Sequence, residues 1–448
     1  MSLREHTART LALGVPLTGS LVAQMLIQLT DTVMLGRYDI TVLAGQVLGS
    51  TLFTMALLFG AGFGLAVTPL VAEADSRGRT ADIRRVARMA MWLAAGWSAV
   101  AIPVFLLARP IFLALGQSGV VSDIGAEYLA VQGWSIFPAM GVMVLRGYLS
   151  GLGRARAQFW AMAAAVVVNA AVNYALIFGN WGAPELGVVG AAVGSLLSTI
   201  AACVALGVHA AVATREHALF VRIWRPDPDA MGRVFRLGWP IGLAILAEAG
   251  LFSASSVMVG WLGEVPLAAH GIAIQIISIV FMAHMGLSQA ATIRAGNALG
   301  RNDRTGLARG AQVAMGLSAC IVTVTVTLFL TLPEALVGPF LRADDPDRAE
   351  VLALGVAFLA AAALFQAVDA AQVMAMGGLR GVQDTRGPMV IASVSYWLVG
   401  IPAAWVLGFG LEFGGVGVWL GMAVGLFLAA VLLQVRFWRM VQSNGSAG

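Results

Sequence analysis

Residues 237–263 read LGWPIGLAILAEAGLFSASSVMVGWLG, and the reading of this stretch decides the fold. It is apolar over a length suited to crossing a bilayer, for which about 20 residues are needed. In its middle stands Glu248, with no Arg or Lys within ten residues on either side. A carboxylate at bilayer depth costs about 2.5–3.5 kcal/mol on insertion scales, and more on an isolated helix. A chain that keeps one there has a use for it.

The rest of the chain has the same character. Its 448 residues are 59% hydrophobic and 11% charged, whereas soluble domains carry about 25% charged residues. A soluble fold of this length would bury a core that so few charges could not cover, so the sequence is that of an all-α, polytopic integral membrane protein. The net charge of +4 does not point to nucleic acid, because the arginines belong to segments flanking helices. Cys203 and Cys320 both lie in apolar runs, so neither a disulfide framework nor a metal site is indicated. The apolar stretch 11–35 is too long for a signal-peptide core and has no small-residue cleavage site after it. It reads as the first spanning helix.

Hydropathy gives twelve spans, at 11–36, 46–72, 88–108, 125–146, 157–179, 187–212, 237–262, 268–293, 309–332, 351–377, 387–410 and 414–436. With both termini placed in the cytoplasm, 23 of the 27 arginines fall in inner segments, and only Arg37, Arg109, Arg342 and Arg348 fall outside. That bias supports the helix count and the orientation. Arg146 and Arg380 count as inner-segment residues in this tally, which leaves no arginine inside a span.

The chain repeats itself. Leu13-Gly14-Val15-Pro16 recurs as Leu237-Gly238-Trp239-Pro240, and Val33-Met34-Leu35-Gly36 as Val257-Met258-Val259-Gly260, both at an offset of 224. Leu145-Arg146-Gly147 recurs as Leu379-Arg380-Gly381. Six helices is an even number, so the two halves enter the membrane the same way round. The expected domains are an N-lobe (1–212), a polar linker (213–236) and a C-lobe (237–448). They form two six-helix bundles related by a pseudo-two-fold axis along the membrane normal, with a site near mid-depth.

Only three acids lie well inside the expected spans: Asp31, Glu248 and Asp369. By the repeat offset, Glu248 corresponds to the neutral Gln24, so the halves differ in their acids. Gln24, Gln28 and Asp31 share one helix face at i, i+4 and i+7; Glu248, Phe252 and Ser255 follow the same spacing. Phe365, Gln366, Asp369 and Gln372 cluster on the tenth helix, and Asn169 and Asn173 are one turn apart on the fifth. Such stripes face protein or water rather than lipid. Each has a plainer reading. Gln and Asn in spans commonly just hydrogen-bond between helices, Asp31 is near enough to a span end to anchor a loop, and His270 and His284 read best as packing residues. With no intramembrane arginine to neutralise them, however, Glu248 and Asp369 must take up protons or bind a cation such as Na⁺. Occupancy then changes the local charge and controls whether a cavity closes, which is a coupling device for secondary transport.

At these residues the sequence resembles the multidrug and toxic compound extrusion (MATE) family, in its NorM-like bacterial branch. The resemblance rests on Asp369, Gln372 and then Gly378-Leu379-Arg380-Gly381-x-x-Asp384-Thr385-Arg386, on Pro240 ahead of Glu248, on Asp31-Thr32 ahead of Gly36, and on Asn169 with Asn173. It spans almost the whole chain. It implies a Na⁺- or H⁺-coupled antiporter, with no cofactor, that exports cationic amphiphilic drugs and xenobiotics by alternating access, and so drug resistance. Glu248 and Asp369 would form the C-lobe proton or Na⁺ site, supported by Ser255, Phe365, Gln275 and Gln372. Asp31, Asn169, Asn173 and Ser195, with Gln24 and Gln28, would form the N-lobe site. Two departures tilt this toward H⁺: Phe365 stands where some relatives have Tyr, and Gly271 where some have Gln, with Gln275 one turn on.

The chain is expected to act as a monomer on small molecules and to contact membrane lipid, but not nucleic acid. A lipid-linked precursor flippase would call for a strongly basic cavity. An intramembrane aspartyl enzyme would need two acids about 3 Å apart sharing a proton, and no motif for one appears. Neither alternative fits these residues as well.

Overall fold

The computed structural model describes residues 2–342 and 346–443. Residue 1 of the expected N-lobe, and residues 343–345 and 444–448 of the expected C-lobe, lie outside the described residues. Twelve helices among those described are long and apolar enough to cross a membrane. They are α1 (Leu3–Tyr38), α2 (Thr41–Ser76), α3 (Thr80–Leu106), α4 (Gly119–Gly151), α5 (Ala155–Phe178), α6 (Gly187–Ala213), α7 (Pro228–Gly260), α8 (Glu264–Gly300), α9 (Arg304–Thr331), α10 (Arg348–Gly381), α11 (Arg386–Gly410) and α12 (Gly414–Gln442). Most run past their hydropathy spans, because a helix that satisfies its own backbone continues beyond the hydrocarbon until a breaker stops it. Gly78 and Gly153, at φ +68° and +73°, are two such breakers, in a backbone region where only glycine is unstrained.

This extension corrects one expectation. α4 continues to Gly151 and α10 to Gly381, so Arg146 and Arg380 lie on spanning helices rather than in loops. Arg146 is 7% exposed. Arginine ended the hydropathy spans, but its long side chain can be held within a bundle when polar partners meet it.

The chain separates into two compact units, Gly19–Gly242 and a second formed by Met1–Thr18 with Leu243–Gly448. The division falls inside α1 and α7, so neither helix belongs wholly to one unit. The segment between α6 and α7 is part of the first unit and is fastened to α3. Arg88 donates to the carbonyls of Leu219 (2.8 Å) and Ala218 (2.7 Å), and Trp92 Nε1 donates to that of Ile223 (2.8 Å). Arg85 pairs with Asp227, Nη2 to Oδ1 at 3.1 Å, and its guanidinium holds the Asp227 carboxyl below the usual carboxylate range. Burial lowers the pKa of His217, whose Nδ1 lies 2.6 Å from Tyr148 Oη.

Within the first unit, glycines let helices approach until backbone meets backbone. A Cβ on Gly147 of α4 would lie 2.3 Å from the Gly64 carbonyl oxygen of α2, and one on Gly190 of α6 would lie 2.5 Å from that of Leu176 on α5. Lipid offers no hydrophobic drive for helix association, so such close approach supplies the packing. In the second unit the core is aromatic and aliphatic, with Phe358, Phe365, Tyr396 and Trp419 essentially unexposed.

Candidate functional site

The close seam between α5 and α6 aims three side chains at α1. Asn169 and Asn173, one turn apart on α5, both present Nδ2 to Asp31 Oδ1, at 3.0 and 2.5 Å. Ser195 of α6 donates Oγ–H to Asp31 Oδ2 at 2.6 Å. Asn169 and Asn173 are fully buried, and Asp31 is 5% exposed. The seam is tight here: a Cβ on Gly194 would sit 2.0 Å from Asn173 Oδ1. The four polar residues expected together are therefore brought together, and Asp31 is held by neutral donors rather than fixing a helix end.

Protonation of this carboxylate has a preferred oxygen. An amide NH₂ only donates, so a proton on Oδ1 would face two donors. A hydroxyl can donate or accept, so a proton on Oδ2 is met by Ser195 simply turning its O–H. The cluster can thus exchange one charge without rebuilding its amide contacts.

Asp31 forms part of the wall of a cavity of about 520 Å³ in the same unit, with Gln24, Gln28, Tyr128, Met143 and Ser195. This volume is in the range of small-molecule sites, and thioethers suit a wall that adapts to varied ligands. Among the described residues no arginine lines the cavity. Arg146 stands behind it: its Nη1 donates to Gln24 Oε1 at 2.7 Å. With the Gln158 amide turned so that its oxygen faces Arg146, that oxygen accepts from Nε and Nη2 at 2.6 and 2.9 Å and from Ser20, while its nitrogen donates to Ser150. Gln24 thus shows one side to the cavity and gives its oxygen to a buried cation.

The second unit holds Glu248 on α7 and Asp369 on α10. Asp369 is 2% exposed. One carboxylate oxygen of each, Glu248 Oε1 and Asp369 Oδ1, is buried without a hydrogen-bond partner, as are Gln372 Oε1 and Tyr396 Oη. The two acids lie within Coulombic range of each other, and Arg380 and Tyr396 lie within range of Glu248. Phe252, one turn from Glu248, and Phe365, one turn before Asp369, meet edge to face at 5.7 Å, and Phe365 meets Trp419 at 5.6 Å. α11, which departs from α-helical bonding between Val394 and Gly400, presses Trp397 against Gly250, where a Cβ would lie 2.5 Å from the ring. Trp397 Nε1 donates to the carbonyl of Ala247, next to Glu248, at 3.1 Å.

The expected supporting residues divide. Phe365 and Gln372 are buried on α10, about one turn on either side of Asp369. Ser255 is buried but gives its hydroxyl to the Phe252 carbonyl at 2.7 Å, and half-buried Gln275 bonds to neither acid. His270 and His284 meet serines, Ser256 at 3.1 Å and Ser318 at 2.9 Å, while His270 Nδ1 and His284 Nε2 are buried without a partner. Sequence reasoning missed Arg146, Arg380, Tyr396 and Gln158. The recurrence of Leu-Arg-Gly at 145–147 and 379–381 was the available signal for the two arginines.

Comparison with known proteins places the chain in a family. The MatE family model matches residues 16–175 and 240–406, which include Asp31, Asn169, Asn173, Glu248 and Asp369. A protein called "Probable multidrug resistance protein NorM" from Rhizobium meliloti is 43% identical over 444 residues, covering 99% of this chain and 95% of the relative. One so called from Agrobacterium fabrum is 42% identical over 441 residues, covering 98% and 94%. Among solved structures, a MATE bound to MaL6 superposes with a TM-score of 0.90 at 19% identity, covering 99% of this chain and 98% of its own. A transporter of the MOP superfamily from Pyrococcus furiosus, whose binding pocket is described as reversed in polarity, superposes at 0.88 with 18% identity, covering 99% and 97%. At such identities these two carry the fold alone.

Proposed function

This chain belongs to the MatE family, and from that premise we propose that it is a cation-coupled antiporter exporting cationic, lipophilic compounds by alternating access, with H⁺ as the coupling ion. It is a multi-pass membrane transporter of the multidrug efflux type and not an enzyme; its substrates are small molecules. The antiport mechanism, the ion, the bacterial inner membrane, the cytoplasmic termini and action as a monomer are our reading.

One observation carries it. Asp31 is a buried carboxylate in the wall of a drug-sized cavity, held by three neutral donors and no cation. A cationic ligand in the cavity gains most when Asp31 is ionised, and a proton on Oδ2 removes that attraction. Substrate and proton therefore compete for one charge, which is the differential binding that coupling needs. Glu248 and Asp369 supply a second buried acid cluster, with Arg380 within Coulombic range of Glu248.

Sodium fits this second cluster less well. The unpartnered oxygens of Glu248, Asp369, Gln372 and Tyr396 are potential ligands, but Phe365, locked between Phe252 and Trp419, puts a ring rather than an oxygen one turn before Asp369. A flippase for phosphate-bearing lipids is not favoured either, since no arginine is among the described residues that line the cavity.

The test compares Asp31→Asn, Glu248→Gln and Asp369→Asn in proteoliposomes, reading gradient-driven ethidium export beside ethidium binding. All three should lose coupled export at normal protein levels, and Asp31→Asn should also weaken binding. Wild-type export by Asp31→Asn would sink the competition reading, and wild-type export by the other two would sink the second cluster.

A further inference from the structure

A second cavity, of about 300 Å³, lies wholly within the second unit, at the end of α1 and α8 where the arginine-rich segments gather. Its polar wall is Arg9, Arg294, Arg301, Asn297, His6 and Asp303; Ala12, Leu13 and Ala298 add apolar surface. Three guanidinium groups thus share a small cleft with one carboxylate, and that carboxylate is engaged as the cap of α9, accepting from the Gly306 amide at 2.7 Å.

The base of the cleft is built rather than loose. Arg294 donates to the His6 carbonyl at 2.9 Å and also bonds Thr10 Oγ1 and His6 Nδ1, tying the start of α1 to α8. Arg9 and Arg301 are exposed at the rim. Asn297 Oδ1 is buried with no hydrogen-bond partner, so the cleft contains one acceptor that awaits a donor. An anion that also carries a hydroxyl meets both demands: its charged oxygens suit the guanidinium groups, and its O–H suits Asn297. The apolar strip of Ala12, Leu13 and Ala298 suits a carbon backbone.

We propose that this cleft binds an anionic phosphoglycerol group, a phosphate carrying net negative charge and a glycerol with a free hydroxyl. The phosphate is held by Arg9 and Arg301 over the fixed Arg294, and a glycerol hydroxyl donates to Asn297 Oδ1. Basic clefts at the ends of spanning helices are places where anionic lipid headgroups dock. The same chemistry is presented by phosphatidylglycerol in the membrane and by soluble glycerol 3-phosphate, and these two sources can be told apart.

The full-length protein in detergent is titrated with phosphatidylglycerol, phosphatidylcholine or glycerol 3-phosphate, and its unfolding temperature is followed by tryptophan fluorescence. Phosphatidylglycerol should raise the wild-type midpoint where phosphatidylcholine does not. Arg9→Gln/Arg301→Gln should weaken that affinity about thirtyfold, each arginine near a charged headgroup contributing about a fivefold factor. Because both side chains are exposed, the double variant should fold. Arg9→Lys/Arg301→Lys should keep most of the response, since Lys also binds phosphate, as a point charge. A shift with glycerol 3-phosphate that shows the same dependence would support the site with a soluble ligand. Equal responses in wild type and the Gln double variant, or no response to either glycerophosphate, would overturn the proposal.

Discussion

Gly194→Ala tests the Asp31 cluster without replacing any of its polar side chains. The added Cβ would lie 2.0 Å from Asn173 Oδ1, a separation no packed carbon and oxygen can hold, so the Asn173 amide must swing or α5 and α6 must part. Either movement draws Asn173 Nδ2 away from Asp31 Oδ1, which it now meets at 2.5 Å. A hydrogen bond to a charged group contributes about 1.5–3 kcal/mol, equivalent to about one to two powers of ten in an affinity. Ethidium binding should therefore weaken about ten- to hundredfold. Ser195 keeps its place on Oδ2, so proton exchange continues and coupled export falls through KM rather than disappearing. Gly96, a helical glycine with open space where a Cβ would go, is the control: Gly96→Ala should transport normally and gain up to about 1 kcal/mol of helix stability. The assay is ethidium binding and export in proteoliposomes for both variants beside Asp31→Asn. Wild-type binding by Gly194→Ala, together with lost binding in Asp31→Asn, would refute the claim that the α5–α6 seam positions the donors.

Two further substitutions probe the packing around the buried charges. Gly250→Ala forces Trp397 off α7 and should cost about 1–3 kcal/mol as overpacking; Trp397→Leu in the same chain should recover much of the unfolding temperature, and an unchanged midpoint in the single variant would show that the contact is soft. Arg146→Gln leaves Gln24 and Gln158 short of donors and should lower stability by about 1.5–3 kcal/mol. Arg146→Lys should not restore it, because one ammonium cannot reproduce a fork that spans two helices; full rescue by Lys would argue against the network.

How far these features were legible in the sequence depended on range. The spans were readable because twenty apolar residues in a row have one solution in lipid, and Asp31, Glu248 and Asp369 stood out because carboxylates there are rare. Asn169, Asn173 and Ser195 could be grouped with Asp31 only through the family resemblance. Nothing local to α5 or α6 says that Gly194 lets Asn173 reach across. The arginines were misplaced for a physical reason: hydropathy treats Arg as the end of a span, whereas Arg146 on α4 meets glutamines on two other helices, Gln24 of α1 and Gln158 of α5. Which oxygens of the second cluster would lack partners was likewise invisible, since satisfaction of a buried group depends on neighbours that only the fold supplies. Ser255 illustrates the opposite failure. Its spacing from Glu248 was right for a shared face, but the helix's own carbonyl claims its hydroxyl.

The central claim is that a proton competes with the cationic substrate. The most direct measurement is ethidium efflux from proteoliposomes under an imposed pH gradient alone, under a Na⁺ gradient alone, and with both collapsed. Export should follow the pH gradient, persist without sodium, and stop when both gradients are removed. Export that continues at full rate with both gradients collapsed would contradict antiport altogether, and export driven by sodium alone would contradict the proton.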